Sequence, residues 1–510
     1  MPHQDNDDYA SGATPNPTAP PELELLALDD LPGDEQLLAT ALQGIVNRSY
    51  PSLYLVHARD ERTENWLGEF TRPFRTHRSL ESLLDHLPTA AQGLVVYDPM
   101  VPDSINVAVT VAGLEQCLPA SPELAERLSG RYRHLQIHTD LRGRFSSGLA
   151  AYQWQFDTLW PLCAHDLLVG ISPTLGNPPG PYGGRLQDYA VAHRAMVFWL
   201  DPNMPPERAL LENILQAVPH CTPYLGWFPH DVAGEFSGTE LTSRYGVYVV
   251  AADYSANLTT LSERGPALTS VTSSHAAPSD LQNNIYVTFS LSEGDNLQYM
   301  QHRMRRLWDD PARGRVPINW SINPLSADLA PTLLDYYLRT RSPQDCLIAG
   351  PSGAGYCYPS AWPEASFGSF TQQTADRMRR LGLQVIWVLN RIGGKSLPLD
   401  GGSAGAYRRD ISPLGILLNY ESYTETSVES HGLPQAVTQG IGSVEDALGV
   451  LGLAGLLWDG AAPLFLSLGL LAWTITPSDI AGIVERFTPP YQAVRADEYF
   501  QLVRRAYNLP

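Results

Sequence analysis

Cysteine, basic charge and uninterrupted apolar sequence are all scarce in this chain of 510 residues. The five cysteines, Cys117, Cys163, Cys221, Cys346 and Cys357, are odd in number and scattered, with no CxxC and no Cys/His ligand spacing. That excludes a disulfide framework and leaves reduced, buried thiols. Lys and Arg total 34 against 54 Asp and Glu, for a net charge of −20. Nucleic acids and anionic membranes are held by clustered Lys and Arg, so neither is an expected partner. The two basic clusters, Arg303, Arg305, Arg306 and Arg377, Arg379, Arg380, fall in helical patterns and read as solvated faces. No GxGxxG or Walker loop follows an apolar run, which removes support for a nucleotide cofactor. No HExxH or similar ligand spacing is present, so no metal is assigned. No GxSxG elbow is present either, which weakens a serine-hydrolase reading.

The most apolar stretch, 447–473, is interrupted by Asp459, Gly460 and Pro463. Each uncharged piece is shorter than the ~20 residues that cross a bilayer. A buried helix followed by a buried strand is the expected structure there. Residues 1–21 mix Pro, Asp and Asn without an apolar core. They read as a disordered tail and not a secretory signal, which points to a cytoplasmic protein.

Hydrophobic residues make up 44% of the chain and charged residues 17%, enough apolar sequence for large cores. The length suits two to four domains. Short apolar or β-branched runs at 52–57, 93–97, 134–138, 167–171 and 195–200 alternate with helical patterns. One such pattern is 34–46, with Leu37, Leu38, Ala41, Leu42 and Ile45 on one face. Alternation of this kind predicts a parallel, helix-covered sheet. It continues with longer runs at 247–252, 285–290, 317–322, 346–349, 385–389, 415–418 and 464–468, with helices expected at 326–340 and 371–381. The fold class is therefore α/β. A tail over 1–21 precedes an N-terminal parallel-sheet domain over 22–235. A (β/α) TIM-like barrel follows over 236–510, irregular or with one strand overlooked.

Several of the later runs lead directly into polar or glycine-rich segments. These are Asp253-Tyr254-Ser255-Ala256-Asn257, Glu293-Gly294-Asp295-Asn296, Asn323, Gly353-Ala354-Gly355-Tyr356, Asn390-Arg391 and Asn419-Tyr420-Glu421. In parallel α/β proteins the C-terminal strand ends share one face, so these segments are expected to ring one pocket.

Gly353-Ala354-Gly355-Tyr356-Cys357-Tyr358-Pro359 resembles the motif that names the GxGYxYP family of glycoside-hydrolase-like proteins, with every defining position present. Other segments resemble that family in the same chain order: Gln43-Gly44-Ile45-Val46-Asn47-Arg48, Tyr97-Asp98-Pro99, Asp188-Tyr189, Gly226-Trp227, Ser292-Glu293-Gly294-Asp295-Asn296 and Val494-Arg495-Ala496-Asp497. The resemblance implies a sugar-processing type of barrel behind an N-terminal α/β domain. It also implies Asp-Gly-Asp-Asn after the second barrel strand, where this chain has Glu293 in place of the first Asp.

Glycosidic cleavage needs two carboxyl groups, about 5–5.5 Å apart in retaining enzymes and about 6.5–9.5 Å in inverting ones. Glu293 and Asp295 are two residues apart, and on an extended chain both project to one side with Cα atoms about 6.5–7 Å apart. The competing reading makes Asp295 the cap of the following helix and Glu293 a solvated side chain. Glu421, flanked by Tyr420 and Tyr423, is the third catalytic candidate, because an aromatic setting raises a carboxyl pKa. Asp253 and Asn296 are candidate substrate ligands, although the Asp253 segment also makes a good Asx-turn. Gly353 and Gly355 let a backbone approach a ligand closely, and Tyr356 and Tyr358 can present flat faces to a ring. The alternative packs the tyrosines beneath a tight turn.

Three functions follow for a small sugar-like or polyketide-like substrate handled without cofactor. The first is cleavage or formation of a glycosidic C–O bond. The second is a dehydratase or other carbon–oxygen lyase in bacterial antibiotic or related natural-product biosynthesis, which the missing export signal and the near absence of Lys from the second half favour. The third is non-catalytic carbohydrate binding.

Overall fold

The computed structural model describes residues 22–56, 63–174, 186–230, 233–263, 280–292, 296–421, 427–428 and 432–509. Among the described residues before 263 the strands form three separate small sheets, where a single helix-covered sheet was expected. In the first, Leu23–Ala27 lies between Leu53–Val56 and Phe74–His77. In the second, Leu94–Val96 lies between Leu118–Ala120 and Ile137–Asp140. The third runs in the order Tyr248–Val250, Pro223–Gly226, Leu168–Gly170, Val197–Phe198. Every pairing in them is parallel, which requires crossover segments between strands. Helix Gly33–Val46 is one such crossover, and the five apolar positions anticipated for it are all buried.

The barrel is built from β1 (Ile285–Ser292), β2 (Ile318–Ile322), β3 (Asp345–Ala349), β4 (Val385–Val388), β5 (Gly415–Glu421), β6 (Pro434–Ile441) and β7 (Leu464–Leu471). Each pairs in parallel with the next, and β1 pairs with both β7 and β2, so the seven strands close on themselves. The first residues of β1 pair instead with a short strand, Tyr491–Ala493, which fills the gap where β1 and β2 diverge.

Two expectations are corrected here. The run at 247–252 supplies an edge strand of the third small sheet and no barrel strand. The barrel strand it displaced is β6, whose Gln435, Thr438 and Gln439 disguise it from a search for apolar runs. The helix expected at 326–340 is also split in two, Ser326–Leu329 and Pro331–Thr340. Pro331 has no N–H to continue a helix, and the residue before a proline avoids the helical region; Ala330 sits at φ −145°.

The C-terminal helix Ala496–Ala506 plugs the N-terminal end of the barrel. Tyr499 and Phe500 are fully buried, with Tyr499 5.5 Å from Phe465 of β7. Gly415 opens β5 because any Cβ there would lie 2.1 Å from the Phe500 ring. The Ala496 N–H donates to Asn319 Oδ1 at 2.7 Å, and Arg495 is paired with Asp497 while donating to Pro343 O at 2.7 Å. With this end sealed, the C-terminal strand ends form the mouth where a barrel of this kind holds ligands. Among the described residues no helix is long and apolar enough to cross a membrane.

Candidate functional site

At the mouth, the ends of β4 and β5 are tied together by asparagines. Asn390 donates its N–H to Asn419 Oδ1 at 2.7 Å and its Nδ2 to Ser360 Oγ and Pro398 O, each at 2.9 Å. Asn419 donates to Leu397 O at 2.9 Å. It adopts φ +53°, a left-handed conformation that asparagine tolerates better than most residues. The register of β5 against β6 shifts between Leu418 and Glu421, a bulge that re-aims the strand end. Tyr420 thereby meets Trp387 of β4 at 4.9 Å between ring centroids and lies over Gly440 of β6.

The segment after Tyr248–Val250 reaches this same end of the barrel. It packs on helix Asn296–Gln301, which begins just after β1. Gln298 donates its N–H to Ala251 O at 3.2 Å, and Gln298 Oε1 accepts the Tyr254 N–H at 2.9 Å. Gln301 clasps both backbone groups of Ala256, at 2.9 and 2.7 Å. Asp253 therefore stands beside the exit of β1. Its charge also helps to raise the Tyr224 phenol, after the larger effect of that ring's complete burial. Glu293 and Asp295 lie outside the described residues. The backbone of Asn296 opens the helix, and the backbone of Glu421 ends β5 opposite Gln439; their side chains also lie outside the described set.

The GxGYxYP segment forms a joint between the barrel and the third small sheet. Tyr356 and Val249 exchange backbone hydrogen bonds of 2.7 and 2.9 Å. The Tyr358 N–H donates to Ser243 Oγ at 3.0 Å. Gly355 has no room for a side chain, since a Cβ would lie 2.3 Å from the Tyr248 ring, and Gly353 takes φ +142°. The Tyr356 ring lies nearly parallel to Trp227 at 6.4 Å and edge-on to Tyr358 at 5.7 Å. Tyr356 is 1% exposed and Tyr358 0%, so in this arrangement both rings face protein.

The other motif-bearing segments also build joints. Gln43 donates to Asn257 Oδ1 at 2.6 Å and to Leu53 O at 2.9 Å; Asn47 donates to Thr259 Oγ1 at 2.9 Å. Asn257, at φ +58°, bonds both backbone groups of Leu55. Asp188 accepts the N–H and the hydroxyl of Thr259 at 2.9 and 2.7 Å. Burial raises the Asp188 carboxyl to about 6 despite these bonds. Gly44 lets its helix touch the backbone of Asp188, where a Cβ would be 2.4 Å from the carbonyl oxygen. Asp98 accepts the Met100 and Gly143 N–H groups at 2.9 and 2.8 Å.

The five thiols are buried, and burial pushes Cys163 and Cys346 up to about 12, so neither is a thiolate at neutral pH. Among the described residues no group of three His, Cys, Asp or Glu side chains could hold a metal. What the apolar-run reading missed is the polar lining of the barrel interior. Asn319 of β2 donates to Thr288 Oγ1 and Ser290 Oγ of β1 at 2.8 and 3.1 Å, and Thr438 of β6 meets Ser467 of β7 at 3.0 Å. The signal was there as polar residues at alternate positions of otherwise apolar strands.

Fold and mouth together define a parallel α/β-barrel protein preceded by small parallel α/β units. Sequence models of four consecutive GxGYxYP domains match it: a first domain at 22–86, a second at 91–163, a third at 171–263, and the "GxGYxYP putative glycoside hydrolase C-terminal domain" at 283–504. The chain belongs to the GxGYxYP family. A crystal structure described as "a putative hydrolase from Bacteroides thetaiotaomicron VPI-5482" is similar, with 19% identity and a TM-score of 0.79 over 96% of this chain and 95% of its own. Spinosyn rhamnosyltransferase SpnG, at 13% identity over 96% of this chain and 97% of its own, has a TM-score of 0.14, which is no likeness of fold. No curated protein matches the chain.

Proposed function

We propose that the chain is a glycoside-hydrolase-like enzyme that breaks a C–O bond in a small glycosylated or otherwise oxygenated substrate. Glu293, with either Asp295 or Glu421, is its acid/base pair. The observation that carries this reading is the closed parallel barrel, plugged at one end, with β1 and β5 both ending at the other. The description of the family's C-terminal domain and the hydrolase name of the similar structure support it.

One carboxyl group gives its proton to the leaving oxygen as the C–O bond breaks. The other, ionised, either attacks the carbon or takes a proton from the attacking water. Two carboxyl groups held close together resist ionising together, and in the proposed pair the one that keeps its proton would supply the acid. This chemistry needs no cofactor. Asp253, at the exit of β1, and Asn296 are the proposed ligands for substrate hydroxyls, and Gly353, Gly355, Tyr356 and Tyr358 support the wall of the mouth from the neighbouring joint.

The test is turnover of a panel of p-nitrophenyl α- and β-glycosides by wild type and by Glu293→Gln, Asp295→Asn and Glu421→Gln. Glu293→Gln should lower the rate by at least about 100-fold, the lower range for one general acid or base, with the melting temperature unchanged. Near-full turnover by both Glu293→Gln and Glu421→Gln would remove the carboxylate mechanism. Mass spectrometry of the product separates hydrolysis, which adds water across the bond, from elimination.

A further inference from the structure

Trp387 of β4 closes the barrel interior below the mouth. It is 1% exposed and belongs with Leu417, Ala436, Phe465 and the plug residue Phe500 to one buried cluster. Its six-membered ring reaches β7, where a Cβ on Gly469 would lie 2.7 Å from Cη2, and its indole N–H donates to Asn419 O at 3.4 Å. Above this floor three strands each bring one residue to the inner face. Alternation from Ala436 carries Gly440 of β6 inward, and alternation from Phe465 carries Leu471 of β7 inward. Tyr420 of β5 joins them after the left-handed Asn419, with its ring 4.9 Å from that of Trp387 and 46° from parallel. Unlike Tyr356 and Tyr358, these three residues meet solvent: Tyr420 is partly exposed, Gly440 is exposed and Leu471 is 39% exposed. A Cβ on Gly440 would lie 3.4 and 3.6 Å from Cβ and Cδ1 of Tyr420, so the glycine leaves bare a flank of the ring that a side chain would cover. The result is an aromatic ring backed by Trp387, accessible at the mouth, with an aliphatic neighbour.

Tyrosine offers a flat apolar face whose electron-rich π cloud attracts polarised C–H groups. The C–H face of a sugar ring matches it, and ligand sites combine such surfaces with a few polar groups. We propose that Tyr420, backed by Trp387 and flanked by Gly440 and Leu471, is the platform on which the apolar face of a pyranose ring of the substrate rests. That the ligand is a sugar rests on the glycoside-hydrolase-like reading above. The location rests on the geometry of β4 to β7 alone. Tyr420 immediately precedes Glu421, so a ring seated there lies at the strand end that bears one of the proposed carboxylates. Tyr420 gives and takes no proton. It orients the ring, and the small size of Gly440 keeps the platform open.

Tyr420→Ala removes the platform, Tyr420→Phe keeps its face without the hydroxyl, and Gly440→Val covers it without touching Tyr420. Valine suits an exposed strand position, so Gly440→Val should melt at or above the wild-type temperature, and it decides alone if Tyr420→Ala does not fold. Thermal-shift titration of the full-length proteins with methyl glucosides, galactosides and mannosides gives the Kd. These probes carry no aromatic group that could itself stack on Tyr420. Turnover is read separately on the p-nitrophenyl panel. Tyr420→Ala and Gly440→Val are each expected to weaken sugar binding by about 10-fold, the worth of one aromatic contact, and Tyr420→Phe should recover most of that loss. If Tyr420→Ala and Gly440→Val bind as wild type does, the inference falls while glycoside turnover keeps the enzymatic reading. If Tyr420→Phe binds as weakly as Tyr420→Ala, the hydroxyl and not the ring face holds the sugar, and the inference falls. If the variants lose a sugar that wild type binds, yet wild type cleaves no glycoside, the inference holds and the catalytic reading falls. If no methyl glycoside stabilises wild type the inference falls, and the catalytic reading falls with it only if none of the p-nitrophenyl glycosides is cleaved.

Discussion

Replacing Gly355 by alanine tests whether the motif that names the family is a tight joint. The new methyl group would lie 2.3 Å from Cδ2 of Tyr248 and 2.9 Å from Val249 O. Tyr248 is itself buried, with Phe370 at 5.6 Å, so its ring cannot swing away into solvent. The Gly355 backbone must give instead, and Tyr356 with it, which strains the 2.7 and 2.9 Å bonds to Val249. Overpacking of this kind costs about 1–3 kcal/mol, and each weakened bond about 1 kcal/mol, for about 3–5 kcal/mol in all. In a cooperative unit of 150–250 residues that corresponds to a fall of about 6–20 °C in melting temperature. Differential scanning calorimetry reads it directly. Gly449→Ala and Gly452→Ala are the controls: both sites lie within helix Val444–Leu457, and a Cβ at either meets nothing within 4 Å. Each should stabilise by about 0.8–1 kcal/mol, the helix-propensity difference alone. The same chemical change is thus expected to act with opposite sign at the joint and on the open helix. A Gly355→Ala protein that melts at the wild-type temperature would refute the joint.

Burial raises the Asp188 carboxyl from 3.8 to about 6. The folded state then binds that proton more tightly than the unfolded chain, so this group's stabilising contribution is complete below about 3.8 and is lost as pH rises through about 6. Asp188→Asn cannot ionise and should gain on wild type by about 3 kcal/mol between pH 4 and pH 7, as measured by urea denaturation; a pH-independent difference would count against it. Asn257→Ala strips the partners from Leu55 and Gln43 and places alanine at φ +58°, so the urea midpoint should fall by the equivalent of about 3–5 kcal/mol. A loss below about 1 kcal/mol would mean that the hub tolerates repacking.

Much of this protein was determined by local sequence. The helix-with-strand rhythm places six of the seven barrel strands, because an apolar run bounded by breakers has few other ways to be buried. The stretch at 447–473 is a helix and then a strand because Asp459, Gly460 and Pro463 permit neither element to run through. The GxGYxYP signature is legible without coordinates, and the family it implies is the family of the chain.

Only the tertiary structure decided where the pieces go. Tyr248–Val250 has the composition of any buried strand, and its placement in the third small sheet depends on pairing with Pro223–Gly226, the strand before it, and not with a barrel strand. β6 reads as polar, yet its Thr438 finds a hydroxyl partner, Ser467 of β7, once the sheet has closed. Tyrosines after a strand can equally line a pocket or fill a joint. The burial of Tyr356 and Tyr358 follows from the third sheet arriving against Val249 and Trp227. Tyr420 looks like any tyrosine at a strand end, and its place beside Trp387 follows from the left-handed Asn419 and the shifted register of β5 against β6. Periodicity is a property of a few neighbouring residues and is written in the chain. Pairing, burial and hydrogen-bond satisfaction depend on residues tens to hundreds of positions apart, and folding alone brings those together.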